Sequence, residues 1–322
     1  MKKSTFTRRE WNGLMLTGLG GLLLPSVLPG CKAREVAVPP VLRGTAAARQ
    51  AAGPGLVLGA QTYSFRDRDL DDAIKAMTEL DIKSCERWEG HVQPRELQWS
   101  ANQTPADVKH KNQALRKWRD ALDMSYIRNI KDKFDKAGIT ILAYTGTIKD
   151  AISEKDLEQV FEIARALGTP NITTSATVSV MKRIDVYARK YKIRVGMHNH
   201  SHTEDPNEFS SPDSFARGMA GLSDYICINL DIGHFTASNF DAVDFIRRHH
   251  QKILCIHVKD RKRNQGLNQP FGLGDTPIGP VLKLIRDNRY PIPADIEYEY
   301  KGGDTVAEVR SCLNYCKQIL KS

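Results

Sequence analysis

From residue 57 onward, short apolar runs bounded by turn residues alternate with longer stretches of helical period, eight times over, and this alternation constrains the chain more than any other feature. The runs cover residues 56–62, 82–86, 140–144, 171–175, 193–198, 225–231, 253–258 and 292–297. Between them, amphipathic stretches at 70–80, 124–137, 154–167, 180–191, 240–249, 278–286 and 305–321 predict helices. Strands that alternate with helices pair in parallel. Eight such units in about 265 residues predict an α/β fold of the closed (β/α)8 TIM barrel type, one domain over 57–322, and not an open doubly wound sheet. No glycine-rich fingerprint follows the first run, which argues against a dinucleotide fold. Two insertions, at 87–122 and 262–276, follow strand C-termini, where barrel sites are built, and are expected to wall a pocket.

The residues ahead of the barrel read as an address. Lys2 and Lys3 lead into Thr7-Arg8-Arg9-Glu10-Trp11, an apolar glycine-spaced run at 14–28, and Leu28-Pro29-Gly30-Cys31. Residues 1–31 resemble a twin-arginine export signal ending in a lipoprotein cleavage box, with Pro29 where a small residue is usual. The run is too short and glycine-rich to span a bilayer comfortably. The expectation is an exported periplasmic or cell-envelope protein whose one membrane contact is a lipid anchor at Cys31. Residues 32–56, rich in Ala, Pro, Arg and Gly without apolar period, read as a flexible linker.

Charge and cysteines narrow the class further. The leader accounts for +3 of the formal net charge of +9, leaving +6 on the rest, and the densest basic stretch is only 259–263. A nucleic-acid partner would require basic residues clustered among aromatics, so none is expected. The six cysteines show no CxxC or other zinc-type spacing; beyond Cys31, the residues Cys85, Cys227, Cys255, Cys312 and Cys316 read as small buried hydrophobes that need no disulfide.

The chemistry sits at strand ends. The fifth run ends Met197-His198-Asn199-His200, the sixth Leu230-Asp231-Ile232-Gly233-His234, the seventh Ile256-His257-Val258-Lys259-Asp260-Arg261, and the eighth Asp295-Ile296-Glu297-Tyr298-Glu299. Alternation along a strand puts His198 with His200, His257 with Lys259, and Glu297 with Glu299 on common sides. One Asp or His at a strand end is ordinarily a cap or a satisfied polar group. Each pair offers an inner and an outer group, and four adjacent strands delivering such residues to one mouth point instead to one divalent metal ion. Imidazole with carboxylate suits Mn, Zn, Co, Fe or Mg.

The stretches LDIGH, IHVKD, HNH and IEYE, with Gln61-Thr62-Tyr63-Ser64-Phe65-Arg66 and Trp88-Glu89-Gly90-His91, resemble the xylose isomerase-like barrel superfamily, the sugar phosphate isomerases/epimerases, over roughly residues 57–320. The resemblance implies a metal held by Glu, Asp, His and Glu. Asp231, His257 and Glu297 match the last three, while His198 replaces the first carboxylate, which favours Mn or Zn over Mg. In ketose epimerases of the superfamily both glutamates also act as opposed bases. Here Glu297 remains as one, and His200, His234 and Glu299 are candidates for the second proton carrier; holding Asp231 in place is the other role open to His234. Lys259 is a candidate for stabilising a developing oxyanion. Glu86, His91 and Glu299 are candidates for binding hydroxyls, and Tyr63, Trp88 and Tyr144 for stacking on a sugar ring, with packing or salt bridging the alternative for each.

The function expected is a metal-dependent isomerase or epimerase of a small sugar, acting by proton abstraction beside a metal-bound carbonyl. With one base replaced, a lyase or dehydratase acting on keto-sugars or 3-keto-glycosides by β-elimination is the second reading, and a tethered, non-catalytic sugar-binding barrel the third. No glycine-rich phosphate cradle is evident, which points to a free or keto sugar. Oligomeric state stays open.

Overall fold

Each of the eight apolar runs folds as a strand: β1 (Leu58–Gln61), β2 (Ser84–Trp88), β3 (Thr140–Thr145), β4 (Asn171–Thr174), β5 (Arg194–His198), β6 (Ile226–Asp231), β7 (Ile253–Val258) and β8 (Ala294–Ile296). In this computed structural model, which describes residues 56–97 and 104–322, the strands pair in parallel in chain order and β8 returns to β1, closing the barrel. The expected leader, 1–31, and the linker up to residue 55 lie outside the described residues. Register places Asp231 of β6 beside His257 of β7, and His257 beside Asp295 of β8.

The connecting helices are α1 (Leu70–Glu79), α2 (Pro105–Asp120), α3 (Met124–Lys136), α4 (Glu154–Ala166), α5 (Met181–Tyr191), α6 (Pro212–Met219), α7 (Ile232–Ala237), α8 (Ala242–His249), α9 (Ile278–Asp287) and α10 (Thr305–Lys321). Most start at a side-chain cap: Asp69, Asp123, Ser153, Asp241 and Asp304 each accept a backbone N–H from the first turn of their helix. Three helices were not expected. α2 lies inside the insertion at 87–122, its apolar period hidden by a sequence of mostly charged and polar residues. α6 and α7 are too short to show a period, at 8 and 6 residues. The insertion at 262–276 is tied down by Asp260, whose carboxylate accepts the N–H groups of Gly272 (2.8 Å), Gly274 (3.0 Å) and Thr276 (3.2 Å).

Outside the barrel, Ile172, Val195, Ile228, Leu230, Ile256, Val258 and Ile296 are buried in the main apolar core. Its lumen differs from the branched aliphatic filling usual in such barrels. Gln61, Glu86, Thr173, Asn229, His257 and Asp295 are all buried there, and the hydrogen bonds of the first five run from strand to strand across the interior. The five cysteines of the described residues are free and buried, in keeping with their reading as small core residues. No described helix is long and apolar enough to cross a membrane.

Candidate metal centre

The mouth is assembled from local devices that the strand-end sequences encode. After β5, the side chain of Asn199 acts as a piece of backbone: its Oδ1 accepts the N–H of Asp231 at 2.9 Å and its Nδ2 donates to the Asp231 carbonyl at 3.1 Å. This pins the end of β5 to the end of β6 and sets His198 next to Asp231. Asp231 caps α7, its Oδ1 accepting the His234 N–H at 2.7 Å, so only Oδ2 is left to face the mouth. Gly233 lets α7 lie close against β7, because a Cβ there would stand 2.8 Å from the Lys259 carbonyl. His257 spans two carboxylates, with Nδ1 3.1 Å from Glu297 Oε2 and Nε2 2.9 Å from Glu86 Oε2.

His198, Asp231, His257 and Glu297 each offer one ligand atom, and these atoms lie within 4.8 Å of one another. All four side chains are buried. His198 Nδ1 is buried without a hydrogen-bond partner, and Asp231 Oδ2 accepts no hydrogen bond. Burial, followed by the positive charge of His257, holds the His198 imidazole well below its usual pKa, which leaves it neutral and able to ligate. Two imidazoles and two carboxylates at this separation fit one divalent cation.

The carboxylates of the mouth are paired with Lys259. Its Nζ lies 3.0 Å from Asp231 Oδ2, 2.8 Å from Glu297 Oε2 and 2.7 Å from Glu299 Oε2. Burial alone would lower the ammonium pKa, but the three carboxylates outweigh it and raise it. For Glu297 the balance is the reverse: burial would push its carboxyl up, yet Lys259 and His257 hold it well below the carboxylate range, as a bare anion. His257 is raised well above its usual value, Glu86 and Glu297 overriding burial.

The remaining expected residues are distributed unevenly. Beside the mouth, His200 is 26% exposed, its Nδ1 is 3.2 Å from Glu208 Oε2, and its Nε2 is 3.4 Å from the Ser175 hydroxyl. The Glu208 carboxyl, pushed up by burial but more strongly lowered by His200 and Lys149, sits at about 2. His234 Nδ1 accepts from Arg261 at 2.6 Å, which places the ring proton on Nε2, 3.9 Å from Asp231 Oδ2 and 3.3 Å from Lys259 Nζ. Burial, followed by Lys259, His200 and Arg261, keeps it well below its usual pKa. Tyr63, Trp88 and His91 form one aromatic group, with centroids 5.0 Å apart for Tyr63–Trp88 and 5.3 Å for Trp88–His91. Trp88 is half-buried, whereas Tyr63 and His91 are buried, with His91 Nδ1 3.2 Å from the Thr62 hydroxyl.

Two placements correct the sequence reading. Glu86 is not a wall of the pocket: β2 continues to Trp88 and not to residue 86, which sinks Glu86 by two residues, about 6–7 Å of strand rise, into the lumen. It is fully buried there and bound entirely by protein groups. Tyr144 is also fully enclosed: it precedes Thr145, whose hydroxyl reaches Glu86 in the lumen, so alternation turns Tyr144 to the helix side. The contact that sequence reasoning missed is Arg261 on His234, and its one signal was the basic stretch at 259–263.

The model of a family described as xylose isomerase-like TIM barrel matches residues 108–318. No curated protein matches the chain. Among solved structures, the chain is similar to 3-keto-D-glucoside 4-epimerase, YcjR, from E. coli, with TM-score 0.60, 13% identity, and 82% of this chain and 99% of that one covered. It is similar to a xylose isomerase domain protein from Planctomyces limnophilus, with TM-score 0.60, 14% identity and coverage of 84% and 98%. It is similar too to the "probable 3-DHS dehydratase" AsbF from Bacillus anthracis, with TM-score 0.58, 15% identity and coverage of 83% and 99%. At these identities the likeness concerns the fold.

Proposed function

Because the chain belongs to the xylose isomerase-like TIM barrel family, we propose that it is a divalent-metal-dependent isomerase or epimerase of a free or keto sugar, working by proton transfer at a carbon beside a carbonyl. The observation that carries this reading is the convergence of His198, Asp231, His257 and Glu297, from four consecutive strands, within 4.8 Å. A bound metal supplies polarisation of the substrate carbonyl, which acidifies the neighbouring C–H.

The chain's own residues supply the rest. Glu297 is held ionised by Lys259 and His257, the form a base requires, and it takes the proton from one side of the substrate. His200 stands after β5, three strands away around the ring, with its Nδ1 oriented by Glu208, and its Nε2, 3.4 Å from the Ser175 hydroxyl, exchanges a proton on the other side. Lys259, between Glu297 and Glu299, donates to charge that develops on a substrate oxygen. Trp88, half-buried at the end of β2, offers a face for the sugar ring.

The second reading, elimination of a β-substituent, is favoured by one observation: an imidazole, His198, stands where the family pattern has a second carboxylate. Candidate ketoses and 3-keto-glycosides incubated in D₂O separate the two. Deuterium at a retained carbon supports isomerisation or epimerisation, whereas loss of an aglycone or water supports a lyase. Elemental analysis of the full chain tests the premise, with about one metal ion expected per wild-type chain and none in Asp231→Asn or His257→Ala. We propose further that residues 1–31 export the protein and that Cys31 tethers it; Cys31→Ala is expected to move it from the membrane to the soluble envelope fraction.

A further inference from the structure

Glu86 is a charged group fully buried in the lumen. Burying a carboxylate costs several kcal/mol unless every lone pair is met. Here they are met from five other strands. Oε1 accepts from Gln61 of β1 at 2.5 Å, Thr145 of β3 at 2.6 Å and Thr173 of β4 at 2.8 Å. Oε2 accepts from Asn229 of β6 at 3.3 Å and from the Cys255 thiol of β7 at 3.6 Å, and lies 2.9 Å from His257 Nε2. Five of the six partners are neutral. The carboxylate held by these contacts is thus an acceptor aimed at His257 Nε2, 2.9 Å away.

We propose that Glu86 is a positioning residue that fixes which nitrogen of His257 binds metal: it holds the Nε2 proton in a hydrogen bond and presents Nδ1, the nitrogen now 3.1 Å from Glu297, to the cation. The inference rests on the metal reading of the mouth. A carboxylate behind a ligating imidazole selects the tautomer and makes the ring a stronger donor, and loss of such a partner weakens metal binding by about 10–100-fold. The lumen's polar residues then have a common purpose, since Gln61, Thr145, Thr173 and Asn229 all serve to keep one anion beneath one ligand.

The test is nitrogen-15 NMR of the histidine rings in the zinc-loaded full chain, with His257 assigned by its loss in His257→Gln. The expected result is a protonated Nε2 and a zinc-shifted Nδ1; zinc on Nε2 with the proton on Nδ1 overturns the inference and leaves the metal site standing. A wild-type chain that takes up no zinc overturns both. Glu86→Gln, folded by circular dichroism, is expected to bind zinc about 10–100-fold more weakly, with the His257 tautomer lost; unchanged affinity and tautomer overturn the proposal. Should that variant fail to fold, the wild-type spectrum decides by itself.

Discussion

The mouth of the barrel and the lumen beneath it both bury acids, and they compensate them by different means. At the mouth, Asp231, Glu297 and Glu299 share the ammonium of Lys259, a cation on a long flexible stem. In the lumen, Glu86 is met by hydroxyl, amide and thiol groups fixed to the barrel wall. Asp295, on the same level, has neither: both its oxygens lack a hydrogen-bond partner, and burial followed by the charge of Glu86 pushes its carboxyl up to about 8. It fits because Gly59 leaves the room, a Cβ there being only 2.2 Å from Asp295 Oδ1. Equal burial thus leaves one lumen acid ionised and the other protonated, and the difference lies in the donors each meets. The mouth thus compensates its acids with a mobile cation, and the lumen compensates Glu86 with groups fixed to the barrel wall, His257 among them.

The contrast breaks most sharply at Lys259. Lys259→Met leaves three acids without their cation, and the metal-free protein is expected to lose about 3–5 kcal/mol in urea unfolding. The same variant is expected to bind metal more tightly, on the order of tenfold or more, because no internal cation competes. Weaker metal binding would mean that Lys259 does not occupy the cation's place.

Asp295→Asn probes the unpartnered acid. Its folded pKa of about 8 lies above the ordinary 3.8, so its contribution is fully present below pH 4 and is lost as pH rises through 8. Unfolding of the wild type at pH 6 and pH 8 should show a loss of about 2 kcal/mol from this group, and the variant should lack that component of the slope. Identical slopes in the two proteins would place the Asp295 proton elsewhere.

The smallest effect sharpens the comparison from the other side. Thr173→Val removes one of three donors to Glu86 Oε1 and is expected to cost about 1–1.5 kcal/mol, with metal content unchanged. A variant as stable as wild type would show that the lumen cage is redundant.

Much of this was legible in the residues. Eight apolar runs with intervening helical periods led to the closed barrel, and metal-type side chains at four consecutive strand ends led to His198, Asp231, His257 and Glu297. What was missed turns on depth and on long-range pairing. The second run reads as ending at Glu86 because a charged Arg87 follows it, yet Arg87 is fully buried and the strand continues to Trp88. The sequence leaves the contacts of His234 open, and Arg261, 27 positions away, meets its Nδ1 only in the fold. α2 escaped because a mostly charged and polar helix shows little apolar period.

The sequence by itself determined the local terms: which runs extend, which side chains alternate to a common side, and that four strand ends carry residue types able to hold a metal. Each follows from periods and residue types read within a few positions. Only the tertiary structure decided how deep each residue sits in the closed barrel and what it meets across it. Glu86 and His257 stand 171 positions apart in the chain and 2.9 Å apart in the lumen, a pairing created by barrel closure that no local pattern encodes.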